Sequence, residues 1–399
     1  MDILYVAHCV PWPPDKGERI RSFNFVSRLA DRYRVHLACI APTQEQAEAV
    51  SPLRDRLASV RIEVLDQRAG FFRGALSVAR GHSYTMGCYG IPALRTHVRS
   101  ILASHPVKAA ILLSAATTPY APANIPFIAD WGDVDSEKFL QYARMRFPGL
   151  LYRLEAHLLR REEVSFARRA RRTFMTTRNE ARLFERIAPG LPLGCSGNGV
   201  DVDYFDPRSA PPVPAELAGR NFLVFTGTLN YFPNFDGVLW FADNVFPALR
   251  RQEPDLELFL VGRLPVPEVV RLGERPGITV TGAVGDVRPY VAAARAAMTP
   301  LRLARGIQNK VLEALAMGKR VFASPVVCDT FQPDLPTGVV PCAAVEDYAR
   351  ALADLPKSPD PDWRIVEATR QRFSWDGCVA PILAELEQIE RGERPGAAA

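Results

Sequence analysis

The chain has 399 residues, of which 48% are apolar and 23% charged, with a mean hydropathy of −0.05. That composition excludes a disordered chain, a collagen and a coiled coil, and it suffices for two to three domains with large cores. The net charge of +5 conceals a split, because residues 1–200 carry +10 and residues 201–399 carry −5.

Along the chain a short apolar strand, a Gly/Pro turn and an amphipathic helix recur. In the first half, strands are predicted at Ile3–Ala7, Val35–Ile40, Val60–Leu65, Ala109–Leu113, Phe127–Asp130 and Thr173–Thr176. Helices are predicted at Arg19–Tyr33, Gln44–Arg56, Ala93–Ala103, Ser136–Phe147, Leu150–Arg169 and Glu180–Ile187. Runs such as Ile3–Val6 lack alternation, as strands buried on both faces of a parallel sheet do. A turn-rich segment, Cys195–Pro207, and the run Pro211–Pro214 mark a junction between about 190 and 215. A second series follows. Its strands are Phe222–Phe225, Leu256–Val261, Ile278–Thr281, Ala297–Thr299 and Arg320–Ala323; its helices are Phe235–Leu249, Pro267–Leu272, Val287–Ala294 and Asn309–Met317. Helices at Trp363–Arg372 and Trp375–Ile389 close the chain, and a Pro/Gly/Ala-rich tail from Gly392 is expected to fray. The expected fold is α/β, with two Rossmann-like doubly wound domains, residues 1–197 and 198–374, and a helix over 375–391 returning to the first. The default site is the cleft between the domains.

The chain starts without a basic, apolar leader, and no apolar run reaches the roughly 18 residues a membrane span needs. The expectation is a cytoplasmic protein, with peripheral attachment to the inner face of the plasma membrane open. Seven scattered cysteines without C-x-x-C, and six histidines without H-E-x-x-H, argue for reduced thiols and no protein-bound metal.

Three constellations carry chemistry. After the first strand, Pro11–Arg21 places Gly17 at a helix start with Lys16, Arg19 and Arg21 near it, which suits a phosphate; a solvated basic loop is the alternative. Asp130-Trp131-Gly132-Asp133-Val134-Asp135-Ser136 follows another strand. Asp135 or Ser136 is able to cap the next helix, and Asp130 and Asp133 are candidates for a sugar hydroxyl or a base. The most informative run is Pro300–Val321, where a strand leads to Arg302, Arg305 and Gly306, then to Lys310 and Glu313 in the first turns of a helix. A helix N-terminus with three cations is a plausible diphosphate site, and Glu313 is placed to accept from two ribose hydroxyls. The alternative is a helix with Val311, Leu312 and Leu315 against the sheet and Glu313 exposed. Gly227, Gly262 and Gly282, each at a strand end, suggest backbone held close to a ligand.

At these residues the sequence resembles the retaining GT-B glycosyltransferases of family 4. Gly306–Met317 resembles their sugar-nucleotide signature, Thr226–Asn234 resembles the variant G-S-M-x-x-x-P-N, Asn198–Asp201 resembles the entry to the second domain, and Phe373–Asp376 the closing helix. Pro13–Arg21, Asp133–Ser136 and Arg305–Lys310 together resemble the sugar transferases associated with exosortase (PEP-CTERM) systems. The resemblance implies that Glu313 binds ribose, that Gly306, Ile307, Gln308, Asn309 and Lys310 hold the donor sugar and phosphates, that Gly17 faces the diphosphate, that Gly282 and Val284 meet the base, and that Gly227 belongs to the substrate-binding set. The first glutamate of the E-x7-E pattern falls at Arg305, and no histidine matches the one many relatives carry in the first domain. Asp133 is taken in its place, and Arg302 and Arg263 stand in for the cations missing from Leu229–Asn234.

The expected activity is retaining, metal-independent transfer of a sugar from a UDP- or GDP-linked donor to a glycan or lipid-linked acceptor in exopolysaccharide biosynthesis, with no other cofactor and Lys310 stabilising the leaving diphosphate. Alternatives are a nucleotide-sugar 2-epimerase of similar shape and a non-catalytic two-domain binding protein. A nucleic-acid partner is disfavoured, since the basic half interleaves few aromatics with its charge. Residues 144–186 carry twelve arginines against five acids. One reading is a solvated helix face, with Leu151, Leu154 and Leu158 on the other side; the sharper one is contact with an anionic membrane.

Overall fold

The computed structural model describes residues 1–14, 17–49, 52–145 and 147–393. Asp15, Lys16, Arg146, the last six residues of the Gly/Ala tail, and Val50 and Ser51 within the expected helix Gln44–Arg56 lie outside the described residues. The chain divides into two compact units, Met1–Gly197 with Trp375–Ala399, and Asn198–Ser374.

The first unit contains strands β1 (Asp2–Ala7), β2 (Arg34–Ala41), β3 (Ser59–Val64), β4 (Val107–Leu113), β5 (Phe127–Gly132), β6 (Arg172–Met175) and β7 (Leu193–Cys195). Its helices are α1 (Gly17–Ala30), α2 (Gln44–Glu48), α3 (Gln67–Ala79), α4 (Tyr84–Tyr89), α5 (Pro92–Ser104), α6 (Asp135–Met145), α7 (Gly149–Ala167) and α8 (Arg178–Ile187). The strands form one parallel sheet in the order β3-β2-β1-β4-β5-β6-β7. Every residue of β1 is buried, as its unbroken apolar run requires. Tyr5 pairs in register with Leu37 on one side and Ile111 on the other.

The second unit contains β8 (Phe222–Thr226), α9 (Phe232–Asn244), α10 (Phe246–Gln252), β9 (Glu257–Val261), α11 (Pro267–Leu272), β10 (Ile278–Gly282), α12 (Arg288–Ala293), β11 (Ala296–Thr299), α13 (Asn309–Ala316), β12 (Val321–Ala323), α14 (Pro325–Cys328), β13 (Val339–Pro341), α15 (Val345–Ala353) and α16 (Trp363–Arg372). Its parallel sheet runs β10-β9-β8-β11-β12-β13. Phe222, Phe225, Phe241 and Phe322 are fully buried around it. The final helix, α17 (Trp375–Glu390), belongs to the first unit and packs its Trp375 ring edge-on against Phe25 of α1, with centroids 6.2 Å apart. Both units are doubly wound α/β sheets.

Two expected helices are broken by proline, which has no N–H to donate. The segment read as Gln44–Arg56 ends as α2 at Glu48, and a 3₁₀ turn at Arg54–Arg56 follows Pro52. Phe235–Leu249 divides into α9 and α10, with Pro247 in the first turn of the second. At α6 the capping expectation is also corrected. Neither Asp135 nor Ser136 stands ahead of the helix; instead the N–H of Val134 donates to Glu180 at 2.8 Å and that of Ser136 to Glu163 at 3.1 Å. Two glutamates from other helices thus meet the positive end of α6. Leu151 and Leu154 are exposed, and only Leu158 of that trio is buried.

Candidate active site

In a doubly wound sheet, ligands collect beyond the carboxyl ends of the strands where the winding reverses. In the second unit this point lies between β8 and β11. The segment after β8 and the loop from β11 to α13 both open there, and they carry most of the residues singled out in the sequence.

Lys310 is the centre of this region. It sits in the first turn of α13, its Nζ donates to Oδ1 of Asn234 at 2.7 Å, and its ammonium lies over the Phe225 ring, 4.0 Å from the centroid. Asn234, in the first turn of α9, donates its Nδ2 to the Thr228 carbonyl at 2.8 Å. Gly227 closes the cluster at φ +151°; a Cβ there would stand 2.8 Å from Lys310 Nζ and 3.0 Å from Asn234 Nδ2. A side chain at 227 would fill the space in front of the ammonium. Gly262, at the end of β9, is pressed closer still, since its Cβ would fall 1.7 Å from the Gly227 carbonyl oxygen. The N–H of Gly262 donates to Gly282 at the end of β10, at 3.2 Å, and the carbonyl of Arg263 accepts from Leu229 at 2.9 Å. Gly227, Arg263, Gly282 and Lys310 are thereby brought into one cluster of strand ends.

Glu313, one turn along α13 from Lys310, is partly buried. Burial pushes the Lys310 ammonium down and the Glu313 carboxyl up, and each charge opposes the other's shift. A half-buried cation hydrogen-bonded to a neutral amide oxygen is poised to gain from an arriving anion. Gly306 adopts φ +62°, which turns the loop into α13. Gln308 donates its side-chain amide to the carbonyls of Arg305 and Gly306, and no side chain caps α13 among the described residues. Asn309 Oδ1 accepts from Asn198 at 3.4 Å, and Ile307 packs against the unit's core. Arg302 is exposed, 3.4 Å from Asp236, so its charge is partly met on the surface of α9. Val284 and Gly282 occupy the turn after β10, where Gly282 takes φ +69° and a Cβ would meet no neighbour.

In the first unit, Gly17 begins α1. Arg19 and Arg21, expected as loose positive charge beside it, are buried instead. Arg21 makes a two-pronged ion pair with Asp130, at 3.0 and 2.6 Å, and also donates to the carbonyls of Ser196 and Gly197. Arg19 donates to Gln46. Asp130 is therefore engaged in the core and drops out as a base. Asp133 follows Gly132 (φ +74°) at the end of β5 and accepts from Thr176 Oγ1 at 3.2 Å. The winding of this sheet reverses between β1 and β4. Just past the end of β1 stands His8, whose buried Nδ1 meets no hydrogen-bond partner among the described residues, and burial lowers its pKa. Sequence reasoning missed His8, Asn234 and Phe225. The Pro-Asn pair quoted from Thr226–Asn234 was the available signal for Asn234.

Residues 220–358 match the family described as "Glycosyl transferases group 1". Among solved structures, the chain is similar to sucrose-phosphate synthase from Thermosynechococcus elongatus, with a TM-score of 0.71 and 14% identity over 98% of this chain and 100% of that one. It is similar to HepE of Anabaena in complex with UDP, with a TM-score of 0.67 and 14% identity over 97% and 100% of the two chains. It is also similar to WaaG, a glycosyltransferase involved in lipopolysaccharide biosynthesis, with a TM-score of 0.62 and 16% identity over 96% and 98%. No curated protein matches it in sequence. Two doubly wound units of this kind define the GT-B fold. The group 1 domain in the second unit marks the chain as a glycosyltransferase.

Proposed function

We propose that the chain transfers a sugar, with retention at the anomeric carbon, from a UDP- or GDP-linked donor to a glycan or lipid-linked acceptor in exopolysaccharide assembly. The observation that carries this reading is the Lys310–Asn234–Gly227 cluster at the reversal point of the second sheet. In it a half-buried ammonium faces a glycine-walled space beside the uncapped N-terminus of α13. Breaking the glycosidic bond leaves negative charge on the diphosphate. Lys310 and the first amides of α13 supply the matching positive field without reorganisation, so no metal step is required in this reading. Glu313 would accept from the ribose hydroxyls, with Arg263, Arg302 and Arg305 around the loop and Gly282 and Val284 along the base. In the first unit Asp133 and His8 are the side chains proposed to face the sugar and acceptor. HepE, recorded with UDP and with UDP-glucose, supports a nucleotide-sugar donor by analogy of fold.

Thermal-shift titration against UDP, GDP and ADP and their sugars tests this reading. A ligand at 100 times its Kd stabilises by about 2.7 kcal/mol. One nucleoside diphosphate should raise the transition temperature, and Lys310→Ala and Glu313→Gln should each blunt that rise tenfold or more in apparent Kd while leaving the fold intact. Donor response unchanged in both variants overturns the site. Donor epimerised with no acceptor present overturns the transfer reaction.

A further inference from the structure

The first unit carries a surface that its core does not explain. Phe147 is 97% exposed at the turn between α6 and α7, and Leu150, Leu151 and Leu154 follow it on the outer side of α7, at 76%, 62% and 42%. Their spacing places them on one face of the helix's first two turns. A second apolar face lies on α3, where Phe71, Phe72 and Leu76 point outward while the buried positions are Gly70 and Gly74. The two faces are physically linked through α4. Phe71 touches the Tyr84 ring, and the N–H of Tyr84 donates to Glu155, the residue after Leu154, at 2.7 Å. Single exposed apolar residues are ordinary, but seven on linked helices are not.

Within the two segments that carry this surface the charge has one sign. Residues 67–80 and 144–154 together contain six arginines and no acid. Arg68, Arg80, Arg144 and Arg153 are exposed. By contrast, several other arginines of the basic half are engaged. Arg171 and Arg172 pair with Glu385, Arg160 with Glu137, and Arg169 lies over Phe127 and Phe166. Exposed arginines therefore accompany the protruding aromatic and leucine side chains, as they also occur elsewhere on this unit at Arg161, Arg178, Arg182 and Arg186.

We infer that α3 and the start of α7 form a docking surface for an anionic lipid bilayer, with Phe147, Leu150, Leu151, Phe71 and Phe72 entering the headgroup–acyl boundary and the arginines meeting lipid phosphates. A protein partner would need an acidic rim around an apolar groove, whereas a bilayer supplies both chemistries over any extended area. No described helix is long and apolar enough to cross a membrane, so this attachment is interfacial. The inference does not depend on the identity of the donor.

Flotation of the full chain with vesicles of phosphatidylcholine containing about 30% phosphatidylglycerol tests it. Binding is expected at about 100 mM salt, weakened several-fold at about 500 mM by screening and also on pure phosphatidylcholine. The triple variant Phe147→Ser, Leu150→Ser, Leu151→Ser should lose it more than tenfold, with circular dichroism and the nucleotide thermal shift unchanged. In Phe147→Trp, the new indole should shift to shorter wavelength on vesicle addition and be quenched by brominated lipid. No binding by the wild type, equal binding by the triple variant, or an indole that escapes quenching in Phe147→Trp each overturns the proposal. So does a stable dimer in sedimentation velocity that the triple variant dissolves, since the surface would then be covered by a second copy.

Discussion

Replacing Lys310 by methionine separates a ligand-binding lysine from a structural one, because the two make opposite demands on the empty protein. Burial lowers Lys310 from 10.5 to about 7. A shift of that size corresponds to about 5 kcal/mol against the charged form, and the solvent contact the side chain retains reduces the expressed part to about 2–3 kcal/mol. Methionine keeps the apolar stem over Phe225. It leaves Asn234 Oδ1 without its donor, which costs about 1 kcal/mol. The ligand-free variant should therefore be more stable than the wild type by about 1–2 kcal/mol, or roughly 2–6 °C in transition temperature. The sign with pH follows from a folded pKa below the unfolded one. The penalty on the wild type is complete below about pH 7, shrinks as pH rises and is gone near 10.5, so the variant's advantage should follow the same course. At about pH 6 Glu313, raised to about 7, is mostly protonated and does not miss its partner. The assay is differential scanning fluorimetry at about pH 6, 8 and 10, with and without the nucleoside diphosphate that shifts the wild type. A variant that melts lower than the wild type at the acid end, or that keeps the full nucleotide shift, refutes the reasoning.

Gly227→Ala places a methyl 2.8 Å from Lys310 Nζ at a backbone angle that side chains avoid; it should cost about 1–3 kcal/mol in urea unfolding and abolish the nucleotide thermal shift. Arg21→Met removes one half of a buried ion pair and strands Asp130; a loss of about 3–5 kcal/mol is expected, visible as a lower urea midpoint, with Asp130→Asn no cure because the carbonyls of Ser196 and Gly197 still lose their donor. Glu163→Gln acts through pH. Burial raises this carboxyl to about 8, so its cost to the wild type sets in above the unfolded value near 4.5 and is complete above about 8. The glutamine variant should match the wild type at about pH 4 and exceed it by about 2 kcal/mol at about pH 8, measured by chemical denaturation at the two pH values.

The strands and most helices of both units were legible because a buried parallel strand must be an unbroken apolar run and the helix after it must show one apolar stripe. Where that rule fails, so does the reading. Helix α3 escaped detection because it is inverted, with Phe71, Phe72 and Leu76 outside and Gly70 and Gly74 inside; a Cβ at 74 would lie 2.5 Å from the Tyr84 ring. Strands β7 and β13 are three residues long and, unlike the equally short β12, include a glycine or a proline, which reads as turn. At the candidate site, Gly227, Gly306, Lys310 and Glu313 were singled out in the sequence because glycine turns and helix starts are local features. Asn234 was not, since its bond to Lys310 spans 76 positions of sequence. For the same reason Arg21 was read as loop charge, although its partner Asp130 stands 109 positions away.

These pairings change what the charge split between the halves means. A formal charge acts at a distance only if no opposite charge lies against it. In the first unit Arg21, Arg160, Arg171 and Arg172 are held by Asp130, Glu137 and Glu385, so these four exert little outward field and the excess is carried by other arginines. The arginines that remain outward include Arg68, Arg80, Arg144 and Arg153, and these flank the protruding Phe72, Phe147 and Leu150. In the second unit the local charge opposes the net charge. That half is net acidic, yet its reversal point holds a half-buried ammonium at Lys310, and a partly desolvated cation attracts a phosphate more strongly than one on the open surface. The relevant quantity in each unit is the charge left uncompensated at a place a ligand can reach. On that measure Lys310 is the candidate anion site of the acidic half, and the basic half offers exposed arginines beside an apolar surface.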